Sequence, residues 1–427
     1  MRERAWVPPP SESYVQEIAG LTARSSLDGI LGSVDEKVEQ NRRIHHECVQ
    51  LNPAANVMNP RAEAMLAAGL GSRPSLGYPG DKYEMGLEAV ERIEVIAAEL
   101  ACQVFGADFA EVRVGSGGLA NLYVFMAVCS AGDAVVVPPA ESGGHGTHHV
   151  AGAAGLYGLD VHEAPIDADR YTVDVEALAA VVERVRPRLV TIGGSLNLHP
   201  HPVGRIREIA DSVGAVVMFD AAHLAGLIAG GAWPNPLDAG AHVMTMSTYK
   251  SLGGPPQGLV VTNDAGLAER IDRIAHPGLT ANFDLGNTAA LAVSLVDTLR
   301  HGEAYASEMV ASAKALQSGL ADRGVDGLVT ESQAFAVRTA DGHALAKRLR
   351  QANLLTSGIS VPGPSTEGLM NGLRIGTNEI MRWGMTAADM DELAGVTKAA
   401  IRSDDPSSLA SNVTRFRRRF DRLHFVG

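Results

Sequence analysis

The chain has few cysteines, few aromatic residues, no long apolar run and no surplus of positive charge. Only three cysteines, Cys48, Cys102 and Cys129, occur among 427 residues. They stand in apolar or mixed surroundings without the spacing of a metal site, and read as reduced structural thiols rather than a disulfide framework. No stretch of about 20 residues is apolar enough to span a bilayer. The opening MRERAWVPPPSES lacks the apolar segment of a signal peptide, so cytoplasm is the expected location. Against 36 Lys and Arg stand 49 Asp and Glu, a formal net charge of −13. That balance repels nucleic-acid phosphates and anionic membranes and leaves neither as an expected partner. The one basic run, Arg415, Arg417, Arg418 and Arg419, interleaves with Phe416 and Phe420 and reads as the polar face of a terminal helix.

What is present suits a folded protein of two domains, with 46% hydrophobic and 20% charged residues. Residues 1–45 read as an N-terminal arm: Pro8, Pro9 and Pro10 lead into a helix-start signal at Ser11 and an amphipathic stretch to Leu31. Residues 46–290 alternate short β-rich runs with helical ones, the pattern of a large α/β domain with a mostly parallel sheet. The candidate strands are AEVRV, DAVVVPP, RLVTIGG, AVVMFD, AHVMTMS and GLVVT. VGRIREIADSVG places Ile206, Ile209, Ala210 and Val213 at helical spacing, the apolar face of a covering helix. Residues 291–427 open with a long helical stretch followed by shorter strand-like pieces, a smaller C-terminal α+β domain.

Two strand ends carry chemistry. Asp220 and His223 follow AVVMF, and Lys250 follows AHVMTMST; in an open α/β sheet such ends face the ligand crevice. A lysine amine held in a desolvated site loses proton affinity and forms a Schiff base with an aldehyde. A carboxylate aimed at a pyridine nitrogen keeps that ring able to accept electrons. Either residue alone has an ordinary explanation, a turn lysine or a helix cap. A third element, VRVGSGGLANLYV, runs from a strand through Ser116, Gly117 and Gly118 into a helix, whose first N–H groups suit a phosphate. His145, in ESGGHGTHH, is placed to stack on a flat ring. The rival reading, a metal cluster of His145, His148, His149 and His162, lacks a carboxylate or cysteine at ligand spacing, so no metal is expected. Arg374, in the glycine-bounded GLRIGT, offers a planar fork for a carboxylate.

With these blocks in view, the chain resembles the serine hydroxymethyltransferases, fold-type I pyridoxal-phosphate (PLP) enzymes, over most of its length. GYPGDKY, GSGGLANLYV, ESGGHGTH, the REIADSVGAVVMFDAAHLAGLIAGGAWPNP run with the lysine block, and GLRIGT carry the likeness. The resemblance implies that Lys250 forms the internal aldimine and Asp220 meets the pyridine nitrogen. It implies further that His145 stacks on the ring, Ser116, Gly117 and Gly118 hold the phosphate, Ser195 and His223 contact the ring hydroxyl side, and Arg374 binds the substrate carboxylate. Thr280 stands in the family's second phosphate segment, which here reads Leu279-Thr280-Ala281-Asn282. The family works as dimers or larger assemblies with sites at the interface, so Tyr83 is placed to reach a neighbour's site.

Departures from the pattern bear on the reaction. Pro74 and Leu76 replace a tyrosine and a glutamate, and leucine cannot transfer the proton that the folate-dependent step needs. Ala54-Ala55-Asn56 replaces Ser-Glu-Asn, Glu84 the second tyrosine after the Gly-Tyr-Pro-Gly block, Tyr249 the histidine before the lysine, and Pro256 an arginine. The expectation is a folate-independent PLP enzyme that breaks or forms the Cα–Cβ bond of a β-hydroxy-α-amino acid, with Glu84, His145 or Tyr249 as the base at Cβ. Alternatives from the same residues are β-elimination, replacement or cyclisation in specialised metabolism, and a folate-dependent transferase with a rebuilt pocket. The non-enzymatic alternative is a cofactor-binding regulator or an inactive paralogue; a dead site leaves Lys250, Asp220 and Arg374 without a purpose, and no DNA-binding element supports a regulator.

Overall fold

A computed structural model describes all 427 residues. The N-terminal arm is two helices, α1 (Pro9–Arg24) and α2 (Leu27–Glu47). Ser26 caps α2 by accepting the Gly29 N–H. The large domain follows as α3 (Val90–Phe105), β1 (Phe109–Val114), α4 (Gly117–Val128), β2 (Ala134–Val137), β3 (Asp160–Glu163), β4 (Leu189–Ile192), α5 (Val203–Asp211), β5 (Val216–Asp220), β6 (Val243–Ser247) and β7 (Gly258–Thr262). These strands form one seven-stranded sheet in the order β1-β7-β6-β5-β4-β2-β3. All neighbours are parallel except β7, which runs antiparallel to both β6 and β1. All six runs read as strands from the sequence are in this sheet. The strand they omit, β3, has the sequence DVHE, an edge segment without an apolar run.

The sheet is buried because its strands are apolar on both faces, as a sheet covered by helices on each side requires. Val135, Val136, Val137, Leu189, Val243 and Val261 are all fully enclosed, each such side chain contributing on the order of 2 kcal/mol. In α5, Ile206 and Ala210 are buried while Arg205 and Glu208 pair in solvent, which is the expected covering face.

A single helix, α6 (Leu285–Ala321), runs for 37 residues and is capped by Asp284, which accepts the Asn287 N–H. It begins before residue 291, so the change of texture falls inside a helix and not in a linker. Beyond it, β8 (Ala334–Arg338), β9 (Ser357–Ile359) and β10 (Gly372–Gly376) form an antiparallel sheet in the order β8-β10-β9. The basic run lies in and after α7 (Ala410–Arg417). One of its members corrects the expected polar face: Arg417 is 2% exposed and stacks 4.3 Å from the Trp383 ring centroid, its long stem serving the core.

A strap, residues 49–57, ties the two sheets together. Val49 and Gln50 pair with Leu354 and Leu355, and the Gly376 N–H donates to the Leu51 carbonyl. Asn378 Nδ2 donates to the Pro53 and Ala55 carbonyls, and Asn56 Nδ2 to the Lys250 carbonyl at 2.7 Å. The turn bearing Lys250 is thereby pinned to the sheet bearing Arg374.

Candidate active site

Asp220 ends β5 at the carboxyl edge of the sheet and is 3% exposed. Its Oδ2 accepts from Asn121 Nδ2 and His148 Nε2, both at 3.0 Å, and Oδ1 accepts the Ala222 N–H. Burial works against the charge, but the His148 bond and charge, with the Ala222 and Asn121 donors, outweigh it and hold the carboxyl well below its usual range. Asn121 is fixed in turn by Thr245, whose hydroxyl donates to Asn121 Oδ1 at 2.7 Å. The result is a buried permanent anion whose Oδ1 keeps a lone pair for one more donor.

Neither Asn121 nor His148 was singled out as a partner of Asp220 in the sequence. Both signals were present, since Asn121 lies in GSGGLANLYV and His148 three residues after His145. The four histidines weighed as a metal cluster are not gathered: His148 bonds Asp220, His162 bonds Asp160, and His149 stands 3.8 Å from Glu163.

Lys250 follows β6 and is 6% exposed. Desolvation pulls its amine down to about 8, with Arg374 acting the same way and Asp220 opposing. At neutral pH a usable fraction is therefore the nucleophilic free amine. Its Nζ lies 5.9 Å from the ring centroid of Tyr249, which is 37% exposed. His223 is buried beside it; desolvation, then the Lys250 and Arg374 charges, keep its ring neutral, and its Nδ1 has no hydrogen-bond partner.

Arg374 sits in β10 at 8% exposure. Its Nε donates to Ser357 Oγ at 3.1 Å and Nη1 to the Ser195 carbonyl at 2.6 Å. No carboxylate lies within ion-pair distance of it, and desolvation lowers it to about 10. A buried guanidinium without a counter-ion, with Nη2 uncommitted, is a receptor for an anion from outside. Ser195 meets it through its main-chain carbonyl, a role its hydroxyl did not foretell.

Helix α4 starts at Ser116, whose Oγ accepts the Leu119 N–H. The N–H groups of Gly117 and Gly118 have no intrahelical acceptor and point out of the helix start. Gly117 is compelled by packing: a Cβ there would collide with the Ser247 side chain at the end of β6. His145 caps the short turn Gly146–His148, with Nδ1 2.9 Å from the Thr147 hydroxyl. Its ring is open to solvent, yet desolvation first, then the Lys250 and Arg374 charges, lower its pKa against the pull of Asp220.

Three predicted residues are not brought to this cluster within one chain. Thr280 is engaged elsewhere, its hydroxyl 2.5 Å from Tyr123 and 3.2 Å from the Arg113 carbonyl. Glu84 accepts the Leu76 N–H at 3.3 Å, and Tyr83 is 82% exposed. Both follow the Gly77–Lys82 hairpin, which the buried Lys82–Glu94 pair fastens at 2.6 Å.

A buried anion, a buried low-pKa amine, a helix start free of side chains and an unpaired guanidinium together fit pyridoxal phosphate and an amino acid. Asp220 Oδ1 suits a pyridinium N–H, Gly117 and Gly118 a phosphate, and Lys250 an aldehyde. The serine hydroxymethyltransferase family model matches residues 31–397. An α-methylserine aldolase of Variovorax paradoxus is 56% identical over 435 residues, covering 100% of this chain and 98% of that protein. Another, from a Ralstonia species, is 51% identical over 436 residues with 100% of both covered. A serine hydroxymethyltransferase of Staphylothermus marinus is 35% identical over 391 residues, 89% of each chain. Site and sequence agree, and the chain belongs to the serine hydroxymethyltransferase family of fold-type I, PLP-dependent enzymes.

Proposed function

We propose that this protein is a folate-independent aldolase for β-hydroxy-α-amino acids bearing a second carbon substituent on Cα, with α-methylserine as substrate and alanine and formaldehyde as products. The observation that carries the reading is Arg374, a buried cation without a protein counter-ion, close enough to the low-pKa Lys250 for its charge to act on that amine. Whole-length relatives at 51–56% identity bear the name α-methylserine aldolase, and Leu76 stands where the family's folate-step glutamate belongs.

Bound PLP supplies an electron-accepting ring conjugated to the substrate amine. Arg374 grips the α-carboxylate and so orients the Cα–Cβ bond. Lys250 would hold the cofactor through its aldehyde, and Asp220 would keep a proton on its ring nitrogen. His145, whose proton affinity is lowered first by desolvation, would cover one face of the ring. The active form is a homodimer in which the 77–85 hairpin of one copy completes the cleft of the other and brings Glu84 to the Cβ hydroxyl proton. Exposed Tyr83 and Met85 flanking Glu84, and an apolar stripe on α1 and α2, support that assembly.

Incubation with α-methylserine, serine and threonine, without added folate, tests this. Formaldehyde and alanine in equal amounts from α-methylserine are expected. Release of ammonia or a cyclic product, or cleavage only when folate is supplied, overturns it.

A further inference from the structure

We propose that Tyr305 is a positioning residue for Lys250: it holds the Lys250–Gly253 turn from behind and is itself held by residues 424–427. The proposal rests on Lys250 as the residue that captures the cofactor aldehyde. Lys250 lies beyond the last ladder pair of β6, Ser247 with Gly258. Its carbonyl accepts the Gly253 N–H at 3.0 Å and Asn56 Nδ2 at 2.7 Å. Asn56 is fixed in turn by Tyr305 of α6. Asn56 Nδ2 also donates to the Tyr305 hydroxyl at 2.9 Å, and that hydroxyl donates to the Asn378 carbonyl at 2.7 Å. Burial raises the Tyr305 pKa, so the phenol keeps the proton it donates.

The far end of the turn leans on the same ring. The Arg382 guanidinium lies 5.2 Å from the Tyr305 ring centroid, and its Nη1 donates to the Val57 carbonyl at 3.2 Å. A Cβ built on Gly253 would fall 2.6 Å from the central carbon of that guanidinium, so the turn packs directly on it. Tyr305 therefore supports both the anchor at the start of the turn and the surface under its end. Phe425 holds the ring: the two centroids are 5.2 Å apart with planes inclined by 29°, a stacked pair. Phe425 has φ 58°, a state that a bulky residue adopts only when its surroundings impose it. Its neighbours are tied. The His424 N–H donates to the Arg382 carbonyl at 2.7 Å, and the Gly427 N–H to Oδ1 of buried Asp297 at 2.9 Å. Tyr305, Arg382, Phe425, Ser251 and Leu252 line one cavity of about 10 Å³, room for a single water. At that density a shift of the ring is passed to the turn.

Capture of PLP needs the Lys250 amine at the aldehyde, whereas retention of the phosphate and ring does not, and this separates positioning from packing. Pyridoxine 5′-phosphate, with an alcohol in place of the aldehyde, reads retention alone. Tyr305→Phe keeps the ring and removes the bridge between Asn56 and Asn378. Its apoprotein should capture PLP roughly fivefold more weakly, the worth of one neutral hydrogen bond in ordering the turn. Absorbance titration and mass spectrometry of the borohydride-reduced Lys250 peptide read this. Calorimetric affinity for pyridoxine 5′-phosphate should be unchanged. Phe425→Ala leaves every hydrogen bond of the turn intact and carries the test if Tyr305→Phe does not fold. It should weaken PLP capture about threefold, the worth of a stacked pair, again with pyridoxine 5′-phosphate unaffected. Unchanged PLP capture overturns the proposal, as does equal weakening toward both ligands, which would make Tyr305 a packing residue only. A borohydride adduct that persists in Lys250→Ala overturns the cofactor role of Lys250 instead.

Discussion

At the scale of single residues the site is a set of charges kept in unusual states by burial. Lys250 is the group whose role is most directly tested. Borohydride reduction of the PLP-loaded protein should fix the cofactor to the peptide containing Lys250, as seen by mass spectrometry, whereas Lys250→Ala should yield no such peptide. Glu379, 4% exposed, is a second perturbed group: burial raises it to about 7 against the Trp383 N–H and the Arg417 charge. Its folded pKa exceeds the unfolded one, so between roughly pH 4.5 and 7 the folded chain binds more protons. Stability should therefore fall as pH rises through that window. In Glu379→Gln the fall should disappear and stability at pH 8 should increase by about 3 kcal/mol. Urea denaturation at pH 5 and pH 8 measures both; equal pH slopes in the two proteins would contradict the assignment.

Asp220 and Lys250 were legible in the sequence because each lies at or just after a strand end beside a small residue, and Arg374 because it is the one charge in a short strand bounded by glycine. His148 was visible as a histidine, but not as the partner of Asp220, because 72 residues separate them. Only the packing of the Gly146–His148 turn against α4 and β5 brings them within 3.0 Å.

At the scale of elements, α4 and the hairpin are built to present something. Because a Cβ at Gly117 would meet Ser247, Gly117→Ala should displace the start of α4. Loss of at least tenfold in cofactor affinity is expected, about the worth of one charge-assisted hydrogen bond. Fluorescence titration of apoprotein with PLP reads this, and an unchanged affinity would remove the phosphate role from α4. The strands were predictable from their β-branched runs, and the helices from capping residues and periodicity. What escaped was β3, whose DVHE lacks the apolar signal of an interior strand, and the inward turn of Arg417. Charge suggests solvent, whereas the fold provides an indole for the guanidinium to stack on.

At the scale of the whole molecule, α1 and α2 have almost no buried face. Glu12 is the one buried residue of α1, and α2 has none. Yet Tyr14, Ile18 and Leu21 on α1, and Leu27, Leu31, Val34 and Val38 on α2, are exposed at helical spacing. An apolar stripe of that length is stabilised in water by a partner surface. Replacing Leu31 and Val34 with Glu should shift the protein toward monomer in analytical ultracentrifugation and lower aldolase activity together with it. Dimers that persist at the same concentration would show that the stripe is not part of the assembly.

Local sequence patterns were enough for the large mostly parallel sheet, a lysine and a carboxylate at neighbouring strand ends, and the kinship with hydroxymethyltransferases. These follow from local patterns: alternation of strand and helix, glycine at turns, and short blocks of residues at strand ends. Tertiary structure alone decided which charges meet. It gave Asp220 its His148 and Asn121 donors, left Arg374 without a counter-ion, and engaged Glu84 with the Leu76 N–H and Thr280 with Tyr123. The physical reason is that pKa values and ion-pair vacancies are set by desolvation and by neighbours distant in sequence, quantities that exist only once the chain has packed.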